Sequence, residues 1–226
     1  MSVTWGLVPS RERAWKVDRL VRACALTSSG DTRLHFGFDE DDPQLDANIT
    51  AAAGHKYTIA PRMGLAAWTN ALAAEHLDDS DYLASLGDDM MPVTHGWDTA
   101  LTGAIEEMGG GFSYPQDGRR SDIPEMCVIS TPIVAALKWM ALPSSTHWFI
   151  DNVWFCLGEP DRIRYLPEVI VKHHHPNVPG GDPHDRTYHD AAGKLNRDMA
   201  AYHHWRIFRM AADRAIVRQA CSPKAA

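Results

Sequence analysis

The feature that most constrains this chain is a recurring unit. A short apolar run stops abruptly at polar or turn residues, and an amphipathic stretch follows. Residues 3–8 form the first such run, broken at Pro9 and Ser10, and an unbroken apolar run of that length is what a strand buried on both faces needs. Ser10 is suited to cap a helix with apolar positions at Ala14, Val17, Val21 and Cys24. Leu34, Phe36 and Phe38 alternate as a second strand that ends in Asp39, Glu40, Asp41, Asp42 and Pro43. A brief third strand at 57–60 precedes a helix over 64–76, with Leu65, Trp68, Leu72 and His76 on one side. A fourth strand over 82–86 stops at Gly87, Asp88 and Asp89, and Trp97, Leu101, Ile105 and Met108 mark another helix, closed by three glycines. Strands alternating with helices predict an α/β fold with a mostly parallel central sheet flanked by helices. Ligands bind beyond the carboxyl ends of such strands. Pro9-Ser10-Arg11, the run from Asp39 and the turn at Asp88 and Asp89 should therefore gather on one edge.

The second half is less regular. A strand is expected over 125–130, then a helix opened by Thr131 and Pro132 and reaching Met140. Residues 148–156 are rich in aromatics around the single acid Asp151. Segments 163–166 and 169–171 read as a hairpin leading to His173, His174 and His175, and a Gly/Pro-rich loop covers 177–183. One long amphipathic helix is expected to finish the chain, with Leu195, Met199, Tyr202, Trp205, Phe208, Ala212 and Ile216 as its stripe and a frayed tail over 222–226.

Composition narrows the functions. The 226 residues carry 22 Lys and Arg against 29 Asp and Glu, a formal charge of −7, which disfavours a phosphate-backbone binder and hence nucleic acid as a partner. A metal bridging acidic side chains to a diphosphate remains compatible. The four cysteines, Cys24, Cys127, Cys156 and Cys221, form no Cys-x-x-Cys pair and read as reduced core residues. No run is long enough to span a membrane, and no secretory signal opens the chain, so a cytoplasmic protein is expected. There is no phosphate-loop, dinucleotide or serine-hydrolase signature.

The acids carry the candidate chemistry. Carboxylates at the end of an apolar strand are costly unless exposed or paired with a cation, and oxygen ligands suit Mg²⁺ or Mn²⁺. Asp89 and Asp88 fit that description, although a solvated turn explains them as readily. Asp39 stands at the same edge and could accept hydrogen bonds from a base or a ribose. His173 and His175 share a face of an extended chain, so either could complete a metal shell. Asp151, an acid among aromatics, reads as a general base or a helix cap.

In order along the chain, five segments resemble the family 2 type of nucleotide-sugar glycosyltransferase with a GT-A (Rossmann-like) fold. They are residues 7–11, residues 35–39, the Gly/Ala-rich helix over 64–72 with Asn70, the strand over 82–89, and Asp151 followed by His173 or His175. The resemblance implies a GT-A domain over 1–176, with a nucleotide-binding half (1–92) and an acceptor half (93–176). A loop and C-terminal helical extension would follow over 177–226. It implies a soluble enzyme moving one sugar from a nucleotide-diphosphate sugar to an acceptor hydroxyl of a glycan, protein or small molecule, with inversion. Pro9, Ser10, Arg11, Asp39, Asn70 and Asp88 would bind the donor. Asp89, His173 and His175 would hold Mn²⁺ or Mg²⁺, and Asp151 would be the catalytic base. Gly87 stands where the family signature has its first Asp. A metal-dependent hydrolase or phosphoesterase, and a non-catalytic nucleotide-sugar binder, are the alternatives. Self-association through the terminal stripe is also open.

Overall fold

The computed structural model describes residues 2–221; the tail over 222–226 lies outside them. Its strands are β1 (Val3–Ser10), β2 (Asp31–Asp39), β3 (Lys56–Ala60), β4 (Tyr82–Ser85), β5 (Met90–Pro92), β6 (Phe112–Gln116), β7 (Cys127–Ser130) and β8 (Ile163–His173). They form one sheet in the order β3-β2-β1-β4-β7-β6-β8-β5. The helices are α1 (Ala14–Thr27), α2 (Leu45–Ala51), α3 (Leu65–Ala74), α4 (Trp97–Glu107), α5 (Thr131–Leu137), α6 (Ile150–Gly158), α7 (Arg186–Ala192), α8 (Leu195–Phe208) and α9 (Met210–Ala220).

The first four strands of that order run parallel, as their apolar runs predict. The second half departs from the pattern: β7 is antiparallel to both β4 and β6, while β6 and β8 are parallel to each other. Two reversals restore the original direction, so β6 and β8 end at the same edge as β1, β2 and β4. The antiparallel β7 begins there. This topology delivers residues from both halves of the chain to one place.

The sheet is covered on both faces. Alternation sends Trp5, Leu7, Leu83 and Ile129 into one apolar cluster with Trp68, Trp154, Trp205 and Val217. Val8, Leu34, Phe36, Phe38 and Val128 enter the other, with Val17, Leu20, Trp97 and Leu101. The first cluster draws on α8 and α9 as well as the sheet, so the C-terminal helices belong to the main core. Cys24, Cys127 and Cys221 are buried in these layers and Cys156 is half-buried.

Several expectations are corrected. Ser10 does not cap α1: it is the last residue of β1, Arg13 holds the N-cap position, and the Ser10 hydroxyl donates to Asp88 at 2.6 Å. Segments 163–166 and 169–171 are one strand, because the register slips where Pro115 pairs with Leu166 but Gln116 pairs with Ile170. Pro167 has no N–H for the ladder, and the extra residues are taken up in a bulge. The final helix is two. It breaks at Arg209, and the turn lets Val217 and Cys221 reach the core against α5 and α6. As a result Tyr202 and Trp205 are buried, while Leu195, Met199 and Phe208 face outward.

Candidate active site

A cleft of about 300 Å³ opens at the carboxyl edge of the sheet. Pro9, Ser10, Arg11, Asp39, Asp88, Asp89, Asp151, His173 and His175 all line it. Asn70 does not. Its amide Nδ2 donates to the Ala141 carbonyl at 2.7 Å, and its Oδ1 accepts from the Met140 and Ala141 amides at 2.8 Å. A side chain that completes three hydrogen bonds to a distant loop holds that loop, so the donor-binding expectation for Asn70 is corrected.

The floor of the cleft is a charged array. Asp88, in the turn that follows β4, spends one oxygen on Ser10 and the other on Arg13, whose guanidinium is 3.0 Å away. Burial raises its carboxyl against the pull of Arg13, and both oxygens being engaged makes Asp88 a brace for the β1 loop. Asp89 turns the other way. Its Oδ1 lies 3.5 Å from His173 Nε2, and its Oδ2 accepts from the Tyr188 hydroxyl. Burial opposes ionisation, yet the His173 and Tyr188 hydrogen bonds hold Asp89 well below the usual carboxylate range. Position 87 suits a glycine: a Cβ there would sit 2.7 Å from Asp89 Oδ1. The absence of a side chain at 87 leaves room for the Asp89 carboxylate.

His173 ends β8 and is held from behind. Its Nδ1 meets Glu125 Oε2 at 2.6 Å, and Glu125 is in turn hydrogen-bonded to Asp117. Burial lowers the imidazole, but the two carboxylates raise it to about 9. Asp117, Glu125 and His173 bring one possible ligand atom each within 4.8 Å of one another. Asp117, however, already accepts from the Arg119 and Arg120 amides at 2.6 and 2.8 Å. An imidazole whose Nδ1 is held by a carboxylate and whose Nε2 points at a second carboxylate is the arrangement of a metal-ligating histidine. Once Nε2 gives up its proton, Asp89 and His173 could hold a divalent cation between them, with Glu125 behind the imidazole. His175 lines the same cleft, its ring 5.3 Å from that of His173. Burial, with Arg119 and His173 nearby, lowers it to about 4, which leaves it neutral, and its Nδ1 accepts from the Asn177 amide at 3.1 Å.

Asp39 ends β2 almost fully buried. It accepts from Trp68 Nε1 at 2.7 Å, from the Met63 amide at 3.3 Å and from Arg11 at 3.2 Å. Gly37 permits this: a Cβ there would lie 2.5 Å from the Trp68 ring. Asp42, in the acidic run that follows β2, is buried and accepts from the Glu12 amide and from Asn48. Across the cleft, Asp151 stands in the first turn of α6, with Phe149 before it at φ 68°. A bulky residue in that region is strained and persists only where its surroundings impose it. Burial raises the Asp151 carboxyl to about 6.

Several site residues escaped sequence reasoning. Arg13 forks onto Asp185 at 2.8 and 2.9 Å and lies over the Tyr188 ring. Asp198 of α8, fully buried, accepts from the Thr146, His147 and Trp148 amides at 3.0, 2.7 and 2.9 Å and so shapes the cleft wall. Replacing Asp198 with Ala leaves these amides without partners. Thermal unfolding is expected to show a loss of about 3 kcal/mol or more, and the wall over 146–148 should lose amide-exchange protection.

No family model matches the chain, and no curated protein sequence matches it. Solved structures do. The mannosyltransferase PcManGT from Pyrobaculum calidifontis, in complex with GDP-Man and Mn²⁺, superposes with a TM-score of 0.66 at 11% identity, over 97% of this chain and 74% of that one. Glucosyl-3-phosphoglycerate synthase from Mycobacterium tuberculosis, in complex with Mn²⁺, UDP and glucosyl-3-phosphoglycerate, gives 0.63 at 11% identity over 89% and 78%. TarS from S. aureus with UDP gives 0.56 at 12% identity over 76% and 59%. The fold is the GT-A fold. In GT-A terms, β4 and its Gly87-Asp88-Asp89 turn stand at the centre of the sheet, beside β1. No helix among the described residues is long and apolar enough to cross a membrane.

Proposed function

We propose that this GT-A protein is a divalent-metal-dependent glycosyltransferase, moving a single sugar from a nucleotide-diphosphate sugar to an acceptor hydroxyl with inversion, as in the family 2 type its sequence resembles. The observation that carries the reading is the Asp89–His173 pair, backed by Glu125 and facing the same cleft as Asp151. The structural neighbours whose complexes contain Mn²⁺ with GDP-mannose or UDP support it. A Mn²⁺ or Mg²⁺ ion held by Asp89 and His173, with His175 at hand, would supply Lewis-acid neutralisation of the departing diphosphate.

The chain's own residues would do the rest. The Pro9 to Arg11 loop and Asp39 hold the nucleoside. Arg13 keeps Asp88 and the β1 loop in place. Asp151 accepts the proton of the acceptor hydroxyl as its oxygen bonds to the anomeric carbon and the bond to the diphosphate breaks. A carboxylate raised to about 6 is a stronger base than an ordinary one and is still ionised near neutrality. The Trp148 and Phe149 wall limits water, which would otherwise compete as the acceptor.

A thermal-shift panel of nucleoside diphosphates and nucleotide sugars, with and without Mn²⁺, tests the reading. A ligand at about one hundred times its Kd adds about 2.7 kcal/mol, which for a chain of this size is a rise of roughly 5–10 °C. One nucleotide series should give that rise only with metal. A panel with no metal-dependent hit would overturn the proposal.

A further inference from the structure

Between β8 and α8 the chain forms a strap beside the cleft. It leaves β8 at His173 and turns back on itself, the Asp182 amide donating to the His174 carbonyl at 2.9 Å. It then enters α7, whose Tyr188 hydroxyl donates to Asp89 Oδ2. The strap carries Asp182, Asp185 and Tyr188 at a spacing of three, and α1 presents Arg13, at its N-cap, Lys16 and Arg19 at the same spacing. Residues three apart on a helix lie on one face.

The two series meet in opposite directions. Arg19 forks onto Asp182 with both bonds at 2.8 Å, and Arg13 forks onto Asp185 at 2.8 and 2.9 Å. Between them Lys16 Nζ lies 3.4 Å from Asp182 and 3.5 Å from Asp185. The Tyr188 ring is faced by Arg13 at 4.5 Å and by Lys16 at 5.1 Å. The remaining Arg13 nitrogen holds Asp88 at 3.0 Å, so three acids balance three cations. Lys16 is 1% exposed. An ammonium is buried only where acids offset its desolvation, and both of its acids come from the strap.

We propose that the 182–188 strap is a positioning element for the cation site: docked on α1, it sets the Tyr188 hydroxyl on Asp89 Oδ2 and so turns Oδ1 toward His173. The role rests on the reading of Asp89 and His173 as cation ligands. A phenol is a neutral donor, so it fixes the rotation of the carboxylate without cancelling the charge that a cation needs. Tyr188 thus does for Asp89 what Glu125 does for His173. The affinity of the site then depends on Arg19 and Asp182, neither of which lines the cleft.

Titration of Mn²⁺ with the full chain, followed as loss of the free-ion electron paramagnetic resonance signal, measures cation affinity without any transfer assay. Y188F keeps the ring against Arg13 and Lys16 and removes only the hydroxyl; affinity should fall by about tenfold or more. R19Q alters a side chain whose contacts are Asp182 and the Trp15 ring, and should weaken binding roughly threefold. In the Y188F background R19Q should have no further effect, because both changes act through one hydrogen bond. Unchanged or tighter binding by Y188F overturns the proposal, tighter binding meaning that the phenol competes with the cation. So does R19Q that leaves affinity unchanged, or that weakens it equally with and without the Tyr188 hydroxyl. A wild-type chain that leaves the Mn²⁺ signal intact overturns the cation site itself, and the role of the strap with it.

Discussion

Asp89→Ala is expected to lower metal-dependent sugar transfer by about 10³-fold, roughly 4 kcal/mol of barrier, and to remove the Mn²⁺-dependent thermal shift. The carboxylate supplies one of two donors that face each other at 3.5 Å. Without it His173 alone cannot hold a hard cation against water. The fold should survive, because Asp88 keeps its ties to Ser10 and Arg13 and α1 stays fastened to Asp185. Far-UV circular dichroism and the metal-free melting midpoint check that point. Glu125→Gln separates ligation from support: Asp89 and His173 remain, but Nδ1 loses its charged partner. Metal affinity should then fall by about 10–100-fold, with activity restored at high Mn²⁺. If Asp89→Ala keeps full metal-dependent turnover, the site has been placed wrongly.

Asp151→Asn should lower kcat by about 10²–10⁴-fold while leaving donor affinity in the thermal-shift panel unchanged. The pH profile carries the assignment. A base works only when deprotonated, and burial raises Asp151 to about 6. Wild-type kcat/KM should therefore rise as pH increases through about 6 and level off above it. In the Asn variant the residual rate should lose that limb. A variant that keeps the limb near 6 would move the base role to another group, and a new limb near 4 would point to His147, which lines the same cleft. Burial lowers His147 to about 4, so its limb would sit about two units lower.

The first half of the sheet and its polar edge were legible in sequence because a strand buried on both faces must be apolar throughout. The point where polarity returns then marks the edge. Ser10, Asp39, Asp88 and Asp89 were found this way. The second half was legible only in part: β7 and α5 were anticipated, β8 was expected as a hairpin, and β5 and β6 were not anticipated. Strand β5 is three residues long, β6 carries Pro115, and β8 is interrupted by Pro167, so periodicity had little to act on. The single amphipathic stripe assigned to 195–216 failed for a related reason: a continuous period says nothing of a turn at Arg209. Asn70 lies on a helix that resembles the family's, yet its amide serves the 140–141 backbone.

The sequence by itself determined which strand ends carry acids, and hence that a polar edge with candidate cation ligands exists. That property is local, set by where apolar runs stop. Only the tertiary structure decided which groups complete the site. Glu125 reaches His173 because β7 runs antiparallel and starts at the active edge, Tyr188 reaches Asp89 across 99 positions, and Arg13 reaches Asp88 across 75. Hydrogen bonds between residues so far apart depend on strand order and direction, which burial energetics fix for the whole sheet at once and no segment encodes alone.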